Sequence, residues 1–362
     1  MSAFAHGLVV GKFCPLHIGH QLLLNYAQES CEELTVLSYT KPGFPGMDAP
    51  RREEWLSALY PRATHWVLDD DRLAAHCRQR GVAVQTLPQN DNGDDVHRQF
   101  VAWLLREVIG RPVDVIFTSE AYGPGFAQAL SRCQLAIGEP EVSHVSVDMG
   151  RRQLPISGTA IRGDLHAHRQ WLSPLVYKDF VRRVAIVGGE STGKSTLAVA
   201  LAQAFGTVHA PEYGRELWEA QGGILAESDL LHIARTQVAR EDSLSLTASR
   251  FLMCDTTPLT TLLYARAMFG RSDPALDYLA QRGYDRWILC DPDVPFVQDG
   301  TRRNDAFRHE QHKQYLEELA ARGTRYLRLS GAWDTRIITA IAAVEELDSE
   351  PYRDWLSRPY PC

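Results

Sequence analysis

The sequence predicts an α/β protein built as two successive domains, each around a mainly parallel sheet. Three observations predict it. Apolar runs of strand length alternate with stretches of helical spacing along the chain. A histidine-rich loop, GKFCPLHIGH, follows the first of these runs, and a glycine-rich loop, GGESTGKST, follows another near the middle. The 362 residues are enough for two domains of ordinary size, each with its own core.

In chain order, residues 7–10 (GLVV), 34–38, 113–118 and 143–147 read as short strands, and 18–30 and 96–109 carry apolar residues at helical spacing. Strands alternating with helices imply a parallel sheet covered on both faces. A second series has strands at 184–187 (VAIV), 251–254 (FLMC), 287–290 (WILC) and 325–329. Between the series, 171–183 holds one proline and no Gly/Ser run, which suits a short join rather than a long flexible linker. The reading gives a first domain over 1–172, a join over 173–183, a second domain over 184–349 and a tail over 350–362. That tail has three prolines and is expected to drape over the surface or fray.

Composition narrows the function classes. With 44% hydrophobic and 23% charged residues, the chain has the make-up of a soluble globular protein. A net charge of −7 speaks against non-specific nucleic-acid binding, which needs a basic face. No apolar run approaches a membrane span, and residues 1–10 lack a basic start and a long apolar stretch, so membrane insertion is not expected. The seven cysteines are scattered singly without a CxxC pair. Reduced thiols and a cytoplasmic setting are expected from this, with Cys14 a space-filling residue.

In the first loop, Gly11 permits a tight exit from the strand and Pro15 stiffens the loop beyond it. His17 and His20 flank Gly19 at a helix start, where backbone N–H groups and the dipole favour an anion. Zinc is the competing reading, but no neighbouring Cys, Asp or Glu completes a ligand set. Incidental surface histidines are another. Later, ISGTAIR at 156–162 opens a helix, with Ser157 and Thr159 able to cap it and Arg162 offering a fork of donors to phosphate.

Together these strings resemble the two signatures of the HxGH nucleotidyltransferase superfamily. Gly11, Phe13, Pro15, His17, Gly19 and His20 match GxFxPxHxGH, and 156–162 match (I/V)SxTxIR. The resemblance implies a Rossmann-like domain in which a substrate phosphate attacks the α-phosphorus of ATP. Pyrophosphate leaves, with Mg²⁺ assisting and no covalent intermediate. His17 and His20 would stabilise the transferring phosphate, while Arg162, Ser157 and Thr159 would hold the leaving group. Gly11, Lys12 and Phe13 would line the ATP site.

In the second loop, Gly188, Gly193, Lys194 and Ser195 fit GxxxxGK[ST] with a strand before and a helix after. Backbone N–H groups wrap the phosphates of ATP, Lys194 reaches the β,γ-phosphates, Ser195 can ligate Mg²⁺, and Thr196 comes next in the same turn. Two strands then end in aspartate, at Asp255 and Asp291. Asp255 is chosen to serve the metal or the attacking hydroxyl, and Asp291 reads equally as a helix cap. Arg302 and Arg303 could be lid arginines or a solvated basic pair. In EYGRE (212–216), Glu212 could accept ribose hydroxyls, Tyr213 stack on a base and Arg215 bind phosphate; each is also readable as an ordinary helix-start residue. No guanine-type NKxD string occurs, so a GTPase is not expected.

Taken in order, GKFCPLHIGH, FTSE at 117–120, ISGTAIR, GGESTGKST, EYGRE and DTTPLTT resemble the NadR type of bifunctional nicotinamide mononucleotide adenylyltransferase and ribosylnicotinamide kinase. The resemblance spans residues 7 to about 331. It implies a P-loop kinase domain that phosphorylates nicotinamide riboside at its 5′-hydroxyl, and a first domain that converts the mononucleotide (NMN) to NAD. Trp103 and Tyr122 are candidates to stack on nicotinamide there, against the plainer readings of a core Trp and a loop Tyr. Enterobacterial members also carry an N-terminal helix-turn-helix repressor domain, whereas here the first catalytic strand begins within ten residues of Met1; repression through such a domain is not expected. ATP, NMN and nicotinamide riboside are the expected partners, and a homo-oligomer is left open. The rival enzyme is a phosphopantetheine adenylyltransferase fused to dephospho-CoA kinase. The rival of another class is a nucleotide-sensing regulator with a weak site.

Overall fold

A computed structural model describes residues 3–298, 300, 303–350 and 352. After Val176 the chain passes from one compact unit to a second.

In the first unit the strands are β1 (Phe4–Gly11), β2 (Cys31–Tyr39), β3 (Thr64–Leu68), β4 (Val115–Thr118) and β5 (Ser143–Ser146). They lie in the order β3-β2-β1-β4-β5, and every pairing is parallel, so the unit is Rossmann-like. The central strands are buried over most of their length, which is why they read as apolar runs rather than alternating ones. The helices are α1 (Ile18–Ser30), α2 (Ala49–Leu59), α3 (Asp70–Arg80), α4 (Asp94–Trp103), α5 (Gly123–Leu135) and the short α6 (Gly158–Gly163). The helix expected over 96–109 begins two residues earlier and turns into a π-helix at Leu104–Ile109, ended by left-handed Gly110. The strand expected from 113 begins at Val115, because Val113 N–H and C=O are both bonded to the Gln134 side chain.

The second unit holds β6 (Arg182–Gly188), β7 (His209–Ala210), β8 (Phe251–Asp255), β9 (Arg286–Cys290) and β10 (Leu327–Leu329), all parallel, in the order β10-β9-β6-β8-β7. The central β6 therefore delivers its loop between two neighbours, at the edge where open parallel sheets take ligands. The helix α7 (Pro174–Tyr177) lies at the boundary. After it come α8 (Lys194–Ala204), α9 (Tyr213–Ala220), α10 (Glu227–Ser245), α11 (Pro258–Phe269), α12 (Pro274–Leu279), α13 (Asp305–Ala321) and α14 (Trp333–Glu345). Valines, isoleucines and leucines of β6, α8 and α14 close the core on one face.

The join expected over 173–183 is shorter than read. Arg182 already belongs to β6: its N–H donates to Arg250 O (2.8 Å), and its buried guanidinium faces Asp285 (3.6 Å) and the Tyr352 ring (4.4 Å). Of the expected tail, residues 351 and 353–362 lie outside the described residues, whereas Tyr352 also meets the ring of Phe180. Among the described residues no helix is long and apolar enough to cross a membrane. The six described cysteines are free thiols, five of them buried.

Candidate active sites

At the end of β1 the chain turns through Phe13, a buried residue with φ +49°, into the start of α1. His17 caps that helix: its Nδ1 accepts from Gly19 N–H (3.1 Å), while its own N–H donates to His20 Nδ1 (3.4 Å). The two rings stack with centroids 3.7 Å apart. A ring whose Nδ1 accepts keeps its proton, when neutral, on Nε2. Burial pulls His17 down to about 4, aided by the charges of Arg151 and Arg162. Desolvation also holds His20 well below the usual histidine value, with the charges of His17 and Arg151 adding to it. Both are neutral donors at pH 7. Burial raises the Cys14 thiol to about 11, so it is no thiolate.

The second string of the first unit folds onto the first. Ser157 caps α6 by accepting from Ala160 N–H (3.1 Å). Arg162 donates to Cys14 O (2.6 Å) and Thr159 Oγ1 (3.0 Å), and its guanidinium lies 4.2 Å from the Phe44 ring centroid. Gly158 makes this possible: a Cβ there would stand 3.1 Å from Arg162 Nη1 and 3.2 Å from Cys14 O. One cavity of about 450 Å³ is lined by Gly11, Lys12, Phe13, His17, His20, Ser157, Thr159 and Arg162, so residues some 140 positions apart share one space. Tyr122 lines it too. Trp103 does not: it packs on the core beside Phe100 (5.8 Å), so its reading as a stacking residue is corrected to the core alternative. Asn90, His97, Arg98 and Arg151 also line this cavity, and nothing in their local sequence singled them out; Glu120, the last residue of the FTSE string, lines it too.

In the second unit the loop from Gly188 to Gly193 wraps ahead of α8. Lys194 Nζ donates to Gly189 O (2.8 Å). A Cβ on Gly189 would lie 2.5 Å from Arg308 O, so the loop needs glycine there. Buried Arg336 donates to Thr192 O (3.2 Å) and Asp291 O (3.1 Å), tying α14 to the loop from behind. Ser195 and Thr196 are on the first turn of α8.

Asp255 is buried at the end of β8. Burial raises its affinity for a proton, against the hydrogen bond from Ser195 and the charge of Lys194. Its Oδ1 has no hydrogen-bond partner among the described residues. A hydroxyl and a buried carboxylate oxygen without a partner are the donors expected of a magnesium site completed by phosphates and water. Among the described residues, no cluster of three or more His, Cys, Asp or Glu could hold a metal unaided. Asp291 caps no helix, since the next one begins at Asp305; it is engaged instead by Arg328 (2.7 Å) and faces His312 (3.6 Å).

A cavity of about 440 Å³ opens beside this loop, lined by Gly188, Lys194, Glu212, Arg215, Trp218, Tyr264 and Arg303. Burial, then the charge of Asp255, raises the proton affinity of Glu212. Tyr213 is corrected. Its hydroxyl meets His232 (3.1 Å), Arg240 stands 5.2 Å from its ring, and it does not line the cavity. Trp218, three residues after Arg215 and so on the same face of α9, is the aromatic that sequence reading passed over. Arg303 donates its N–H to Glu190 Oε2 (2.7 Å), and its guanidinium lies 4.7 Å from the Phe307 ring centroid. Arg302 lies outside the described residues.

Comparison with known proteins finds a family model over the second unit and relatives over nearly the whole chain. A family model described as an AAA domain matches residues 183–336. The Trifunctional NAD biosynthesis/regulator protein NadR of Escherichia coli (strain K12) is 29% identical over 360 residues, covering 95% of this chain and 83% of that protein. Its counterpart from Salmonella typhimurium (strain LT2) is 28% identical over 359 residues, with the same coverage. Two solved structures share the fold over 98% of this chain and 99% of theirs. One, NadR in complex with NR, has a TM-score of 0.69 at 21% identity. The other, NadR in complex with NAD and AMP-PNP, has 0.68 at 19%.

Proposed function

We propose that this chain, a homologue of the NadR proteins over nearly its whole length, carries out two consecutive ATP-dependent steps. The second unit phosphorylates the 5′-hydroxyl of nicotinamide riboside to NMN. The first transfers an adenylyl group from ATP to NMN, giving NAD and pyrophosphate. Supporting this reading are the sequence relationship and the fit of each cavity to its reaction.

The observation that carries it is the second cavity, where the P-loop lysine, two acidic side chains and two aromatic side chains, Trp218 and Tyr264, line one space of nucleoside size. Nicotinamide riboside bears a quaternary pyridinium ring, and a cation of that shape is attracted to indole and phenol faces. Glu212 accepts from the ribose hydroxyls, and Lys194 leaves Gly189 O to neutralise the transferring phosphoryl group. Ser195 and Asp255 would hold magnesium, which when bound supplies positive charge beside the β,γ-phosphates.

In the first cavity the NMN phosphate oxygen bonds to the α-phosphorus as its bond to pyrophosphate breaks, and no covalent enzyme intermediate is needed. Nε2–H groups of His17 and His20 donate to the α-phosphate and its attacking partner, and Arg162 with Ser157 and Thr159 holds the pyrophosphate. Catalysis there is orientation and fixed hydrogen-bond donors in a desolvated space. Incubation with Mg-ATP and nicotinamide riboside, with products separated by chromatography, tests the whole reading. NMN and ADP should appear first, NAD and pyrophosphate after them. Turnover of dephosphopantetheine compounds without turnover of the riboside would reverse the assignment.

A further inference from the structure

We propose that Arg151 is a nucleotide-phosphate-binding residue of the first cavity, held by Glu120 until a phosphate takes that carboxylate's place. The inference rests on the reading of this cavity as the adenylyl-transfer site.

Two phosphorylated substrates must share about 450 Å³, and four cations line that space. Arg162 is fastened to Cys14 O and Thr159. Arg98 is held by Asp94 (3.0 Å), Asp95 (2.9 Å) and Tyr122 O (3.3 Å). Lys12 reaches only as far as Asn90 O at 3.4 Å. Arg151 differs from these: it meets Glu120 Oε1 at 3.0 Å, with both side chains about half exposed. Glu120 lines the same cavity, so the pair stands inside the site rather than behind it. An exposed pair of this kind is weak, whereas a guanidinium on a phosphate gains paired, charge-assisted hydrogen bonds.

The backbone argues the same way. Arg151 adopts φ +53° and Asp148 φ +50°, left-handed conformations that side chains seldom take. Asp148 holds the turn by accepting from Gln153 N–H (3.1 Å) and Leu154 N–H (3.3 Å), so its carboxylate is spent on the loop and leaves Arg151 to Glu120. Non-glycine residues held in this conformation cluster at ligand sites, and these two stand on the cavity wall. Arg151 lines the same cavity as His17 and His20, and its charge helps to keep both rings neutral.

The test is calorimetric titration of the full chain in a Lys194→Ala background, which weakens the second site, using ATP, NMN and NAD as separate probes. Arg151→Ala should bind NAD at least tenfold more weakly than its parent, and Arg151→Lys should recover part of the loss. Glu120→Gln should bind more tightly, because the competing carboxylate is gone. The ATP and NMN arms tell which phosphate Arg151 takes. Binding of all three probes within twofold of the parent in Arg151→Ala would overturn the inference. So would a Glu120→Gln loss as large as that of Arg151→Ala, since the pair would then only brace the loop. If the parent itself binds none of the three, the adenylyl-transfer reading falls and this inference with it.

Discussion

His17 and His20 each spend Nδ1 on a backbone N–H, and both are held neutral, so what they offer a phosphate is an Nε2–H donor without a buried charge. The same depression has a stability consequence. Folded His17 resists protonation until about pH 4, while the unfolded chain takes up its proton near 6.5. Stability from this group is therefore complete above about 6.5 and is lost as pH falls toward 4, by about 3 kcal/mol at most. Thermal melts of the wild type should drop between pH 7.5 and 5 more steeply than those of His17→Gln. Equal slopes would show that His17 is not the group responsible. At the second site, Trp218→Ala should raise the KM for nicotinamide riboside at least tenfold, a loss of roughly 1.4 kcal/mol or more, with Trp218→Phe close to wild type. Steady-state kinetics at saturating ATP checks this, and an unchanged KM would remove the ring from the proposed binding wall.

The strand–loop–helix units β1–α1 and β6–α8 were the most legible elements, because residue type at several spaced positions specifies their loops. Strands buried on both faces also read well, as apolar runs. β3 and β7 did not: both are edge strands, the first only partly buried and the second two residues long. The π-helical turn after α4 leaves the apolar spacing helical and gave no signal. The motif strings single out residues by number but say nothing of side-chain direction. EYGRE drew attention to Tyr213, whereas the helical face running through Arg215 puts Trp218 on the cavity. Gly189 is where loop geometry can be tested at this scale. With Arg308 O only 2.5 Å from any Cβ, Gly189→Ala should displace the loop and cut riboside phosphorylation at least a hundredfold. Near-normal kinase activity in that variant would mean the loop adapts and the close approach is incidental.

At the scale of the molecule, each unit has its own parallel sheet, its own core and its own cavity beyond the strand ends. The groups proposed to act in one cavity all come from one unit. Two sites built this way should be separable by single substitutions, and the central claim is best tested by assaying two variants side by side with the wild type. Riboside phosphorylation and NAD formation from NMN are measured in each. His20→Ala should lose NAD formation by at least a hundredfold and keep riboside phosphorylation, and Lys194→Ala should do the reverse. A folded variant of either kind that lost both activities would contradict the two-site account.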